Sequence, residues 1–146
     1  MPQDFLGKFE VSVNKQKWIT IPTAFKKNFT INARSQVVIT IGPRDTLVIY
    51  PLDKWQEKVE ELKGGNDHQR ALLNNIQELA TEPQKLDTAG RVKVSDELLG
   101  ISGIGSRVVL KGNGRYITVW KPESYAAYIK QQVEAHRKRF SAEDYQ

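Results

Sequence analysis

Residues 87–91 read Asp-Thr-Ala-Gly-Arg, a carboxylate and a guanidinium four positions apart with a glycine between them. An Asp side chain accepts backbone N–H bonds that close tight turns, and glycine reaches positive φ without a steric penalty. Arg91 then leaves this turn at the start of an alternating run that holds Val92 and Val94. A guanidinium in that place has two chemistries open to it: an ion pair with Asp87 that braces the turn, or recognition of phosphate and guanine edges. The frame also occurs 73 residues earlier, where Val13, Asn14, Ile19 and Ile21 stand for Leu86, Asp87, Val92 and Val94. The charged pair does not: Asn14, Lys17 and Trp18 occupy the places of Asp87, Gly90 and Arg91.

Lys15 and Lys17 keep positive charge on the first turn. Lysine neutralises phosphate but lacks the planar fork that reads guanine, so this turn is expected to supply affinity more than discrimination. Trp18 has two roles open to it: packing against the core or a neighbouring subunit, or stacking on and wedging into nucleic acid. Lys17 in the position of Gly90 predicts a turn of different shape. Lys93 follows Arg91 on the same strand and extends the set of cations. Lys8, Lys26, Lys27, Arg34, Lys85 and Arg107 lie near the two turns, and most of them read as solvated surface. His136-Arg-Lys-Arg139 forms a basic helix end that the helix dipole accounts for.

The rest of the composition narrows the class. The chain has 146 residues, 39% hydrophobic and 27% charged, which suits one ordinary domain or two small ones sharing a core. Cysteine is absent, so no disulfide or thiolate site is available, and a cytoplasmic address is expected. No apolar run is long enough to span a membrane, and MPQDFLGKFE lacks the basic-then-apolar order of a signal peptide. Net charge is +5, which favours a polyanionic partner. That charge is uneven: residues 1–52 hold seven Lys/Arg against three Asp/Glu, residues 53–82 four against seven, and residues 83–146 eleven against seven. Enzyme chemistry finds no support, because the two histidines are far apart and no metal-ligand spacing, nucleophile elbow or phosphate-binding loop is present. No cofactor and no metal are expected.

The elements that must hold the turns also repeat. Phe9, Val11 and Val13 alternate before the first turn, and Ile19 and Ile21 follow it, predicting a strand on each side. Pro22 opens a short helix, Gln36–Ile41 and Thr46–Tyr50 form a hairpin, and Asp53 starts a helix that Gly64-Gly65 stop. A second helix carries Leu72, Leu73, Ile76 and Leu79, with Asn66 or Asp67 as its cap. After Pro83 the order recurs: turn, strand, a short helix from Asp96, a hairpin across Asn113-Gly114, and a helix from Pro122 that turns Tyr125, Tyr128, Ile129 and Val133 inward. Neither half has enough strands to bury a core alone, so pairing of the halves is expected.

Phe5-Leu6-Gly7, the pattern ending Ile19-Thr20-Ile21-Pro22, and Asp87-Thr-Ala-Gly90-Arg91 together resemble the MraZ family, over nearly the whole chain in length and order. The resemblance implies a bacterial transcriptional regulator of the division and cell-wall gene cluster, cytoplasmic and nucleoid-associated. It implies an α+β fold of two pseudo-symmetric AbrB-like swapped-hairpin β units forming a small barrel with flanking helices. The units are placed at 5–52 and 83–125, with a helical connector at 53–82 and a C-terminal helix at 126–146. It further implies ring-shaped homo-oligomers that bind repeated short sites in double-stranded DNA upstream of the protein's own operon. In the family both turns carry the Asp and the Arg; here the full pair carries over only to Asp87 and Arg91. The DNA-contacting set implied is Lys15, Lys17, Trp18, Arg91 and Lys93, with Asn14, Asp87 and Gly90 as turn-structural residues. Two other readings stand beside this one. An AbrB-like global regulator or antitoxin would share the DNA-binding unit, although an antitoxin would need a longer acidic tail than SAEDYQ; a ring-forming scaffold or protein-interaction module without specific DNA binding is compatible with the altered first turn.

Overall fold

The computed structural model describes residues 4–146. Met1, Pro2 and Gln3, which open the segment read for targeting signals, lie outside the described residues. The elements in chain order are β1 (Lys8–Ser12), β2 (Trp18–Thr20), α1 (Thr23–Lys26), β3 (Gln36–Ile41), β4 (Leu47–Pro51), α2 (Leu52–Lys63) and α3 (Asp67–Leu79). They continue with β5 (Gln84–Lys85), β6 (Arg91–Lys93), α4 (Asp96–Ser102), β7 (Arg107–Gly112), β8 (Ile117–Trp120) and α5 (Pro122–Arg139). Among the described residues no helix is long and apolar enough to cross a membrane.

Six strands form one sheet in the order β1-β7-β8-β4-β3-β5, and β2 pairs with β6 in a separate two-stranded ribbon. Every pairing is antiparallel. The first strand of each half lies on the hairpin of the other: β1 pairs with β7 from Lys8↔Lys111 to Ser12↔Arg107, and β5 pairs with β3 at Gln36↔Lys85 and Val37↔Gln84. The two hairpins meet at β4–β8. The ladders leave an open sheet beside a ribbon, and no closed barrel is found among the described residues. β1 and β2, read as neighbours around the first turn, are joined by the bridge Val13↔Ile19 just beyond β1 and then separate to β7 and β6. The reason is burial. The alternating apolar face of β1 needs the larger sheet, while β2 has a single fully buried side chain, Ile19, to place.

One core draws on both halves. Phe5, Ile19, Phe25, Val37 and Leu47 from the first half pack with Val92, Leu98, Val108 and Ile117 from the second. Phe25 is central, with Phe5 and Phe9 edge-on to its ring at 5.9 and 5.1 Å. The connector helices form a second cluster through Leu62, Leu73 and Ile76, sealed by Trp55 and Val59. Asn66 caps α3 in a reciprocal capping box with Gln69, and Thr40 Oγ1 donates to the Ile76 carbonyl at 2.7 Å, which ties α3 to β3. A third cluster seats α5 on the sheet through Val109, Trp120 and Tyr125.

Two expectations about helix faces change. Leu72 and Val133 point to solvent, at 42% and 41% exposure. Helical spacing placed them near the apolar stripes, but α3 buries only Leu73 and Ile76, and α5 is exposed from Lys130 onward. α5 begins at Pro122, as expected of a proline at the first helical position.

Candidate nucleic-acid interface

The two turns adopt one geometry. In the second, Asp87 Oδ1 accepts the N–H groups of Ala89 and Arg91 at 3.0 and 2.7 Å, and Gly90 N–H donates to the Asp87 carbonyl at 2.9 Å. In the first, Asn14 Oδ1 accepts the N–H groups of Gln16 and Trp18 at 3.0 and 2.9 Å, and Lys17 N–H donates to the Asn14 carbonyl at 3.0 Å. Gly90 sits at φ +77° and Lys17 at φ +70°. The expectation that Lys17 gives the first turn a different shape is therefore corrected. The side-chain acceptor and the flanking strands hold Lys17 in a left-handed conformation that costs a non-glycine residue roughly 1–2 kcal/mol.

The ribbon joins the turns end to end. β2 and β6 pair as Trp18↔Lys93, Ile19↔Val92 and Thr20↔Arg91, so each turn lies beyond the opposite end of a ladder only three residues long. Two further bonds close it symmetrically: Val94 N–H donates to the Lys17 carbonyl and Ile21 N–H to the Gly90 carbonyl, both at 2.9 Å. Period-2 alternation buries Ile19 and Val92 completely and turns Trp18, Thr20, Arg91 and Lys93 to the outer face. A ribbon roughly 10 Å long thus carries an aromatic, a guanidinium and an ammonium on one side.

Arg91 is held from two directions. Its Nε donates to Asp87 Oδ2 at 2.7 Å, and its guanidinium carbon lies 5.6 Å from the centre of the Trp18 ring. The bracing ion pair is therefore formed. It uses one of five guanidinium N–H donors, and neither terminal nitrogen makes a hydrogen bond among the described residues. Asp87 is held ionised: the Arg91 backbone N–H, then the Arg91 side chain, keeps its carboxyl below the usual carboxylate range. Trp18 is half-buried on the outer face and packs across the ribbon against Arg91 rather than into the core.

The same geometry explains the unequal chemistry of the turns. Closing the turn requires one acceptor oxygen, which Asn14 supplies as well as Asp87 does. The second carboxylate oxygen is needed only where an arginine follows. An arginine at position 18 would meet Arg91 across the ribbon diagonal, and the indole there exchanges like-charge repulsion for a cation–π contact.

Lys15, Lys17 and Lys93 make no ion pair among the described residues. Arg107, by contrast, is engaged by Glu10 and Ser12, both at 3.1 Å, and Lys8 lies 5.1 Å over the Tyr125 ring. One positioning residue left no signal in the sequence. Gln84 Nε2 donates to the Lys93 carbonyl at 2.8 Å, and Lys93 N–H donates to Gln84 Oε1 at 2.9 Å, so an amide side chain extends the ladder beside Lys93. Nothing about a lone glutamine marks this; only the fold brings β5 alongside β6. A cleft opens beside each turn, one of about 630 Å³ at Asn14, Lys15 and Lys17 and one of about 300 Å³ at Asp87, Thr88 and Gly90. No cluster of His, Asp and Glu suited to a metal ion exists among the described residues.

These features define an α+β protein whose two halves jointly present one exposed, cation-bearing antiparallel ribbon. A family model described as "MraZ protein, putative antitoxin-like" matches residues 79–144, the stretch that holds Asp87, Gly90, Arg91 and Lys93. The chain is 32% identical over 126 residues to the transcriptional regulator MraZ of Thermomicrobium roseum, an alignment covering 84% of this chain and 85% of the relative. It is 29% identical to the protein of that name from Polaromonas sp., covering 88% and 90%. It is likewise 29% identical to the one from Bordetella pertussis, covering 84% and 85%. The chain belongs to the MraZ family.

Proposed function

We propose that this protein is a sequence-specific DNA-binding transcriptional regulator of the MraZ type, acting on the division and cell-wall gene cluster from the cytoplasm in association with the nucleoid. Two AbrB-like units, 5–52 and 83–125, joined by the connector 53–82, build the DNA-facing ribbon together. The observation that carries this reading is the outer face of that ribbon, where Arg91 is oriented by Asp87 and Trp18 with its terminal nitrogens unengaged and Lys93 stands beside it. The relatives' name, transcriptional regulator, supports it.

A two-stranded antiparallel ribbon fits the major groove, where each base pair shows a distinct pattern of donors and acceptors. In this reading Arg91 reads guanine through its two free nitrogens, while Lys15, Lys17 and Lys93 neutralise phosphates. Trp18 serves as the platform that keeps Arg91 extended. One protomer makes few contacts and binds weakly. Assembly into a ring sets several ribbons against tandem short repeats and strengthens binding by roughly 10²–10⁴ without a new kind of contact.

A mobility-shift titration against the DNA upstream of the protein's own gene tests the function. Binding that weakens steeply as salt rises is expected. Absence of any salt-dependent binding, specific or non-specific, overturns the proposal in favour of a ring-forming scaffold.

A further inference from the structure

Extending the 73-residue correspondence from the turns to the short helices that follow them uncovers an exchange. Phe25 of α1 corresponds to Leu98 of α4, and both side chains are fully buried. The next residue is Lys26 in α1 and Leu99 in α4. The first half therefore has lysine on its turn, at Lys17, and the corresponding second-half site on α4 is apolar. The turn that carries glycine, at Gly90, has its lysine on α1.

The geometry makes these alternatives to each other. Lys26 runs across Gly90 so closely that a Cβ built there would meet its Nζ at 2.7 Å and its Cδ at 2.8 Å. Gly90 thus provides room for the lysine stem as well as a positive φ. Lys26 and Phe29 line the cleft beside Asp87 and Thr88, while Leu99 lines the cleft beside Asn14 and Lys17. Lys26 is half-buried and makes no ion pair among the described residues. Each turn consequently has one ammonium at its fourth residue, delivered from the turn in one half and from a helix in the other.

We infer that Lys26 is the second turn's phosphate-binding residue, the counterpart of Lys17, and that Arg91 and Lys26 address duplex DNA together. The inference rests on the DNA-binding reading above and adds to it a residue from the opposite half of the sequence. It follows that both turns present an ammonium at the fourth position although their sequences differ there.

Fluorescence anisotropy with the upstream duplex, repeated across a salt series, tests it. Lys26→Met keeps the stem and removes the charge. It should lower the slope of log Kobs against log salt by about 0.9, the value for one phosphate contact, with an unchanged melting temperature. Lys26→Arg should restore the slope. Lys17→Gly should lose a similar increment, and Lys17→Gly combined with Leu99→Lys should regain it by moving the lysine to the helix, as in the second half. An unchanged slope in Lys26→Met, with Lys17→Gly still reducing it, overturns the role of Lys26 and leaves the DNA reading intact. Wild-type protein without salt-dependent binding overturns both.

Discussion

The Arg91 guanidinium carbon lies 5.6 Å from the centre of the Trp18 ring, so the residue that replaces one arginine of the repeated turn supports the other. The two positions correspond to each other in the 73-residue repeat and lie diagonally across a three-residue ladder.

Trp18→Ala should weaken binding to the upstream duplex about two- to fivefold, matching the 0.5–1 kcal/mol of an exposed cation–π contact. In an Arg91→Ala background the same change should have no further effect. A double-mutant cycle measured by anisotropy checks this. A Trp18 effect that persists without Arg91 would show the indole contacting DNA directly.

The left-handed conformation of Lys17 makes a stability prediction independent of DNA. Lys17→Gly should stabilise the protein by about 0.5–1 kcal/mol, because relief of backbone strain exceeds the added entropy of the unfolded chain. Thermal melts should show a rise of a few degrees. Gly90→Ala should do the opposite, since it adds strain at φ +77° and collides with the Lys26 stem.

The turns should also differ in acid. The carboxyl of Asp87 titrates below its unfolded value of about 3.9, so its stabilising contribution is complete above that pH and is lost as pH falls through the lower, folded value. Asp87→Asn should be less stable than wild type at neutral pH, and the difference should close as pH falls from 5 towards 2. Denaturant titrations across that range measure it. Asn14 does not ionise, so Asn14→Ala should produce a loss that is flat over the same range.

Phe25→Ala should destabilise the fold by about 3–5 kcal/mol, because the ring is fully buried at the junction of both halves. Unfolding should remain a single transition by circular dichroism and tryptophan fluorescence. The main core draws on both halves, so neither half keeps it alone.

How much of this was legible beforehand follows from what kind of force set each feature. The hairpins Gln36–Pro51 and Arg107–Trp120 and the connector helices rest on local signals: β-branched runs, Asn113-Gly114, and a cap at Asn66 or Asp67 that the structure narrows to Asn66 through Gln69. All were readable. The equivalence of Asn14 and Asp87 was visible as position but not as shape, because Lys17 at positive φ goes against its own preference and is held by hydrogen bonds that only the folded turn displays. Arg91 could be named from its spacing to Asp87, whereas its contact with Trp18 needed the β2–β6 pairing, which joins residues more than 70 apart. Gln84 and Lys26 carry no motif. Gln84 acts through a backbone nine residues further along the chain, and Lys26 through the room that a bare glycine leaves.

In the proposed function Arg91 reads sequence while the lysines supply general affinity. Binding of wild type and Arg91→Ala to the upstream duplex and to a scrambled duplex, at physiological salt, tests it most directly. Arg91→Ala should weaken specific binding by about 1–3 kcal/mol, roughly 5- to 150-fold, and change scrambled-duplex affinity only by the loss of one charge. Equal weakening on both duplexes, or none on either, would contradict it.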